Sequence, residues 1–203
     1  MNLLTLTQVP ISDQLNLEEE LLRNESRDFC LINTGSSPAI VMGISSKPET
    51  LIHLDQLPPT IPILRRFSGG GTVIVDENTI FVTFISNKSS HAFPAYPEPI
   101  LRWAASVLSP TIPGLHLREH DFAIGEKKCG GNALYIKKDR WLIHTSFLWD
   151  YDPLKMQLLK HPPKTPAYRQ GRSHEEFLCK LSDIFPDQQT WITNLKEHLQ
   201  QSC

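Results

Sequence analysis

Residues 63–85 read ILRRFSGGGTVIVDENTIFVTFI, and the parsing of this stretch decides the fold. The runs IPILRR, TVIV and TIFVTFI are rich in β-branched and aromatic side chains and read as strands. SGGG separates the first two, and a turn at Asp76, Glu77 and Asn78 separates the last two, which predicts a small antiparallel unit. Three consecutive glycines, Gly69 to Gly71, are costly in the unfolded chain, so they are expected where the backbone takes positive φ or lies against a ligand. Their N–H groups suit an anion-binding nest, while a tight hairpin turn accounts for SGGG equally well. Arg65 and Arg66 face opposite sides of the strand, so one is expected to reach a pocket and the other to be structural. Neither G-x-x-x-x-G-K-[ST] nor G-x-G-x-x-G occurs, which argues against Walker and Rossmann phosphate sites.

Upstream, SDQLNLEEELLRN (12–24) places Leu15, Leu17, Leu21 and Leu22 on one side behind a Ser or Asp cap and predicts an amphipathic helix. FCLINT and AIVMGI read as short buried strands, and Ser46 with Glu49 around Pro48 predicts a capping box opening a helix that ends near Leu57. Downstream, residues 87–99 form a proline-broken loop before a helix carrying Ile100, Leu101, Ala104, Val107 and Leu108. LHLREHDFAI, NALYIKK and WLIHTSFLW predict three more strands of the same sheet. Asp152 caps a helix DPLKMQLLK, and HPPKTPAYRQGR is irregular. Ser173 with Glu176 repeats the capping-box pattern before two C-terminal helices. Their buried stripes are predicted as Phe177, Leu178, Leu181 and Ile184, then Trp191, Ile192, Leu195 and Leu199.

At 203 residues the chain fits one domain, 1–203, with 160–203 as a short helical extension. Hydrophobic residues at 40% and charged ones at 21% predict a folded chain. Twenty Lys and Arg against 22 Asp and Glu, with no basic cluster, argue against nucleic acid as a partner. No apolar run is long enough to span a bilayer and the N-terminus lacks targeting features, so a cytoplasmic location is expected. Cys30, Cys129, Cys179 and Cys203 lack CxxC spacing and read as reduced thiols.

Two further segments carry possible chemistry. IGEKKCGGNA (124–133) sets lysines beside paired glycines, where a carboxylate or phosphate can approach a fixed cation; an exposed KK turn with a glycine bulge is the plainer account. In WLIHTSFLWD, alternation puts Trp141, Ile143, Thr145, Phe147 and Trp149 on one face and Leu142, His144, Ser146 and Leu148 on the other. His144 is then either a satisfied core histidine or a ligand contact. His116 and His120 lie in a predicted strand, where four residues span roughly 13 Å, too far for one zinc ion, so no metal site is expected.

Together these segments resemble the lipoate-protein ligase A/octanoyltransferase family, relatives of biotin-protein ligase, in a short form without a C-terminal accessory domain. The family's RRxSGGGxVxHDxGN is similar to RRFSGGGTVIVDEN, its ND…GxKxSGSA to HDFAIGEKKCGGNA, and its HHGT strand to IHTS. The similarity runs from about Leu15 to about Leu159. It implies an α/β (α+β) fold, a largely antiparallel mixed sheet flanked by helices. It implies Lys128 as the catalytic lysine, with Arg66, Ser68, Gly69, Gly70, Gly71, Thr72, Val73, Ile74, Asn78, Asp121 and His144 holding ATP and the acyl group, Ser68 and His144 near its carboxylate. The implied activity joins lipoate or octanoate, with ATP and Mg²⁺, to a lysine of a lipoyl carrier domain. Carriers of this kind belong to 2-oxoacid dehydrogenase acyltransferases or to glycine-cleavage H-type proteins, and a separate accessory subunit is a further expected partner. An ATP-independent octanoyl or lipoyl transferase and a non-catalytic lipoate-binding subunit are the alternatives. Departures from the pattern are Val75 for the family's His, GGNA for SGSA, Thr145 for a glycine and Tyr135 for an arginine.

Overall fold

The computed structural model describes residues 1–202. Its centre is a seven-stranded sheet, ordered β1 (Asn2–Thr7), β2 (Phe29–Thr34), β6 (Thr79–Asn87), β10 (Arg140–Leu148), β9 (Lys127–Ile136), β8 (Asp121–Ile124) and β7 (Leu115–Arg118). Only the β1–β2 pair is parallel in it; the other neighbours run antiparallel. A second sheet of three strands sets β3 (Ala39–Met42) between β4 (Ile63–Arg65), parallel to it, and β5 (Val73–Val75), antiparallel to it.

The expected small antiparallel unit is therefore corrected. β4 and β5 do not pair with each other but flank β3, and β6 leaves for the centre of the large sheet. The turn between β5 and β6 is held from outside as well as within, since Ser36 N donates to Asp76 O at 3.1 Å and Trp149 N to Asn78 O at 3.1 Å, which ties it to the large sheet rather than to a β5–β6 ladder. The Asp76 carboxylate accepts from Asn78 N at 3.0 Å, and Thr79 Oγ1 accepts from Asp76 N at 3.1 Å. Every β6 side chain from Thr79 to Ser86 is buried, as suits a strand covered on both faces.

Alternation along β6 and β10 divides the interior. Ile80, Val82, Phe84, Trp141, Ile143 and Phe147 face a core built with α3 (Pro97–Leu108) and α6 (Gln188–Ser202). Leu142, Ile85 and Phe81 face the opposite side, where α1 (Ile11–Asn24) and the small sheet pack. α6 buries Trp191, Ile192, Leu195 and Leu199 as its periodicity predicts, each contributing on the order of 2 kcal/mol. A cavity lies between the two sheets on the α1 side, lined by Ile11, Val41, Val75, Phe81 and His144.

Several local expectations are corrected. α1 begins at Ile11 after Pro10, with no side-chain cap; Ser36 Oγ accepts from Ile11 N at 2.8 Å instead. The Ser46–Glu49 box does not form, and α2 is one turn, Pro48–Leu51, because its N-cap is Lys47. LHLREHDFAI is two strands, not one, folded back at Glu119, whose φ is +53°. The Asp152 cap and the Ser173–Glu176 box are present, yet each opens only one turn, α4 (Pro153–Met156) and α5 (His174–Phe177). Ile184 is exposed. Among the described residues no helix is long and apolar enough to cross a membrane.

Candidate active site

The SGGG segment crosses from the small sheet toward β9 and β10. Arg65 leaves β4 on the outer side and donates to the carbonyls of Gly43, Ile44 and Ser46. Arg66 points inward, is 5% exposed, and donates to Gly69 O at 3.2 and 3.0 Å, to Gly71 O at 2.7 Å and to Val41 O at 3.4 Å. The loop thus wraps its carbonyls around a guanidinium, which fixes its shape. Burial pulls the Arg66 pKa down to about 10 against the opposing charge of Glu18. Of the three glycines only Gly70 has positive φ, +110°, and it lies against Arg66, Asn132 O and Ala133; a Cβ on Gly69 or Gly71 would meet nothing.

Lys128 lies in β9, with its ammonium 2.7 Å from Asp121 Oδ1. Tyr168 Oη donates to the other Asp121 oxygen at 3.1 Å, and burial and that carboxylate push the phenol pKa up. The paired glycines fit this arrangement physically. A Cβ on Gly130 would meet the Phe147 ring on the core face at 2.9 Å, and one on Gly131 would come within 3.4 Å of Lys128 Nζ. Ser146 sits across from Gly131 in the ladder and His144 across from Ala133, two residues deeper. His144 Nδ1 lies 2.8 and 3.1 Å from the two Glu18 oxygens and 3.2 Å from Thr83 Oγ1. Glu18 is fully buried and also accepts from Gln14 Nε2 and Thr83 Oγ1. His144 is thus both satisfied and a wall of the cavity.

Two connected cavities meet at Lys128. One, of about 420 Å³, has an apolar lining that includes Ile11, Val41, Val73, Val75 and Phe81, with His144 and Arg66. The other, of about 390 Å³, has an apolar wall that includes Leu148, Met156, Leu159, Phe177 and Leu178, and adds Lys160, Arg169 and Glu119 to Lys128, Lys164 and Asp121, which line the first as well. Gly71, Thr72, Val73, Asp121, Lys128 and Ser146 line both. Of the residues singled out from the sequence, Gly70 lines the first cavity and Ile74 the second. Ser68, Gly69 and Asn78 line neither. Ser68 is buried under the loop with its carbonyl accepting from Ile44 N. Asn78 belongs to the Asp76 turn, its carbonyl accepting from Trp149 N and Asp150 N.

Sequence reasoning missed the wall contributed by residues 160–178. Arg169 is 4% exposed, donates through Nε to Arg172 O, packs on the Phe177 ring and leaves Nη2 buried without a partner. Burial, then the neighbouring Arg172, lowers its pKa. His174 also lines this cavity, and burial, reinforced by Arg169, His161 and Lys128, lowers its pKa to about 4. The available signal was the cationic side chains of HPPKTPAYRQGR, dense in a stretch read only as irregular. Glu18 had a signal too: Gln14 and Glu18 stand four apart on the buried stripe of α1. Among the described residues no three His, Cys, Asp or Glu side chains cluster as a metal site. A cation carried by a triphosphate would find the Glu119 and Asp121 carboxylates in the cationic cavity.

Comparison with known proteins places the fold. Residues 10–203 match the model of the lipoyl protein ligase A/B catalytic domain. "Inactive lipoate–protein ligase 2" of Plasmodium falciparum is 26% identical over 202 residues, spanning 78% of this chain and 51% of that protein. Lipoate–protein ligase 1 of Staphylococcus aureus is 29% identical over 163 residues, 74% of this chain and 47% of that one. The chain spans about half the length of these curated relatives. Among solved structures, lipoate-protein ligase A bound with ATP superposes with a TM-score of 0.77 at 19% identity, covering 98% of this chain and 85% of the other. P. falciparum LipL1 in complex with lipoate gives 0.77 at 18%, over 98% and 61%. A bipartite ligase from Thermoplasma acidophilum, described with its E2 lipoyl domain, gives 0.78 at 20%, over 98% and 82%. The chain belongs to the lipoyl protein ligase A/B catalytic-domain family.

Proposed function

We propose that this chain activates lipoate or octanoate with ATP and transfers the acyl group to a lysine of a lipoyl carrier domain. The observation that carries this reading is the pair of joined cavities. Both have apolar walls suited to an acyl tail, one adds Lys160, Arg169 and Glu119 to the Lys128, Lys164 and Asp121 that they share, and Lys128 stands where they meet. The buried, unpartnered Nη2 of Arg169 supports an anion there, because such a donor is costly unless a ligand satisfies it.

In the first step a carboxylate oxygen attacks the α-phosphorus of ATP and pyrophosphate leaves. In the second the carrier's ε-amine attacks the acyl carbon and AMP leaves. This chain's contribution is positioning and charge stabilisation. Lys128, held by Asp121, meets the carboxylate and α-phosphate oxygens at the junction; Arg169 and Lys164 take the charge of the leaving pyrophosphate; His144 closes the wall deeper in the cavity between the sheets. Glu119 and Asp121 are the carboxylates that would hold a Mg²⁺ accompanying ATP, which would supply charge neutralisation for the phosphates.

The similarity to an inactive P. falciparum ligase favours one other reading, a lipoate-binding subunit without turnover. Mass spectrometry of a lipoyl domain mixed with the protein and lipoate, with ATP or instead with octanoyl-carrier protein, separates the readings. A lipoyl mass shift that requires ATP supports the ligase. A shift with octanoyl-carrier protein alone supports the transferase, and lipoate binding with no shift supports the binding subunit.

A further inference from the structure

Leu178 pairs with Lys128 in a parallel bridge, and Cys179 N donates to Lys128 O at 2.9 Å. In that register Cys129 and Cys179 are the next pair, so their side chains project to the same side of β9, away from the cavity. Neighbouring strands lie about 4.8 Å apart, inside the roughly 4.4–6.8 Å between α-carbons that a disulfide spans. Cys179 Sγ lies 3.6 Å from Lys127 O, turned toward the strand that carries Cys129. Cys129 is fully buried, and its Sγ also lies 3.4 Å from Phe122 O, while Cys179 is partly exposed. Cys30 is on β2, three strands from β9, about 14 Å across the sheet and out of reach.

We propose that Cys129 and Cys179 form an oxidisable dithiol that a hydroperoxide closes to a disulfide, stapling the 160–178 wall of the cationic cavity to the strand carrying Lys128. The roles follow from the surroundings. The neighbouring Cys129 thiol and the charge of Lys127 lower the Cys179 pKa and favour its thiolate, while the neighbouring Cys179 and burial push the Cys129 thiol up. The Cys179 thiolate attacks one peroxide oxygen, giving a sulfenic acid and hydroxide. The Cys129 thiol then attacks the sulfenic sulfur, its proton leaves with the hydroxyl as water, and the S–S bond forms. Two thiols lose two electrons and one hydroperoxide O–O bond is reduced. The wall residues His174, Phe177 and Leu178 lie immediately upstream of the staple.

The inference does not rest on the acyl chemistry, and its test reads the covalent bond directly. The full chain is treated with stoichiometric hydrogen peroxide, digested without reductant and mapped by mass spectrometry. A Cys129–Cys179 linked peptide, two hydrogens lighter than its parts and opened by dithiothreitol, is the expected result. Closing a loop of some fifty residues raises the Tm of the oxidised protein by on the order of 10 °C, reversibly. Cys179→Ser, at a partly exposed position, keeps the fold and loses both effects; Cys129→Ala does the same from the other side. Linkage to Cys30 or Cys203, over-oxidation of Cys179 without a crosslink, or a crosslink that leaves Tm unchanged would each overturn the proposal.

Discussion

Replacing Gly70 by alanine, with Gly71→Ala beside it, tests whether SGGG is a built loop or a generic turn. Gly70 has φ +110°, where an L side chain is strained by on the order of 1–3 kcal/mol. Its new Cβ would also lie 2.7 Å from Arg66 Nη2 and 3.2 Å from Asn132 O. Arg66 cannot swing aside cheaply, because the same nitrogen donates to the carbonyls of Gly69 and Gly71. About 2–3 kcal/mol is the expected loss, and at about 2–4 °C per kcal/mol for a chain of this size Tm falls by roughly 5–10 °C. Gly71 has neither problem: its φ is not positive and a Cβ there meets nothing. Alanine at 71 therefore reduces the entropy of the unfolded chain and leaves Tm level or up by a degree or two. Yet Gly71 lines both cavities, so Gly71→Ala is expected to weaken ligand binding while Gly70→Ala weakens the fold. Differential scanning calorimetry on both proteins, followed by lipoate titration, measures the split. Equal Tm values for the two variants would refute the assignment of Gly70 as the strained position.

Lys128→Ala is expected to lower acyl transfer by at least about a hundredfold with Tm little changed, whereas Lys127→Ala, on the exposed side of β9, stays within twofold; activity and Tm on both check the register. Arg169→Gln removes the guanidinium whose Nη2 is unpartnered, and an initial-rate assay is expected to show KM for ATP up about tenfold with lipoate affinity unmoved. His174 has its pKa lowered to about 4, so it is neutral in the folded chain and binds its proton more readily unfolded. Stability is therefore fully present above about pH 6.5 and is lost as pH falls from there toward 4, by about 1 kcal/mol after allowance for solvent screening; His174→Asn flattens that part of a urea-denaturation pH series.

What was legible in the sequence is what local chemistry decides. The alternation of β10 is the real division between core and cavity, since each neighbour in a strand must face the other side. The α6 stripe is legible for the corresponding reason at helical spacing. What was not legible depends on partners remote in sequence. Nothing near Ile63 or Val73 indicates that AIVM will insert between them, because strand pairing is settled by which faces the large sheet leaves to be covered. The Ser46–Glu49 signature, likewise, competes with the path that Arg65 imposes by binding the carbonyls of Gly43, Ile44 and Ser46, and it loses. At the site, Lys128 and the glycines beside it carried a local signal. Arg169 carried only the density of cations in HPPKTPAYRQGR and Tyr168 no signal at all, since their positions are set only when that proline-rich segment folds back over β8 and β9.

That fold-back also bears on the choice between adenylate and thioester chemistry. A transferase working through cysteine needs a thiolate in the space where Lys128 meets the acyl carbonyl. β9 is extended through Lys127 and Lys128, so Cys129 projects to the opposite face and its sulfur lies in the core, 3.4 Å from Phe122 O. Cys179, brought close by the returning segment, joins Cys129 on that same far side, and Cys30 packs in the same core. None of these three lines either cavity; Cys203 lies outside the described residues. Changing Cys30 and Cys129 to alanine and Cys179 and Cys203 to serine together is therefore expected to leave ATP-dependent lipoyl transfer within about threefold. The small loss comes from two buried sulfurs whose removal leaves packing defects at sites remote from Lys128. The variant also abolishes the peroxide-dependent crosslink, so one protein separates the two roles. A folded quadruple variant with no transfer, together with an acyl-thioester trapped on the parent, would overturn the ligase reading and place the reacting group on sulfur.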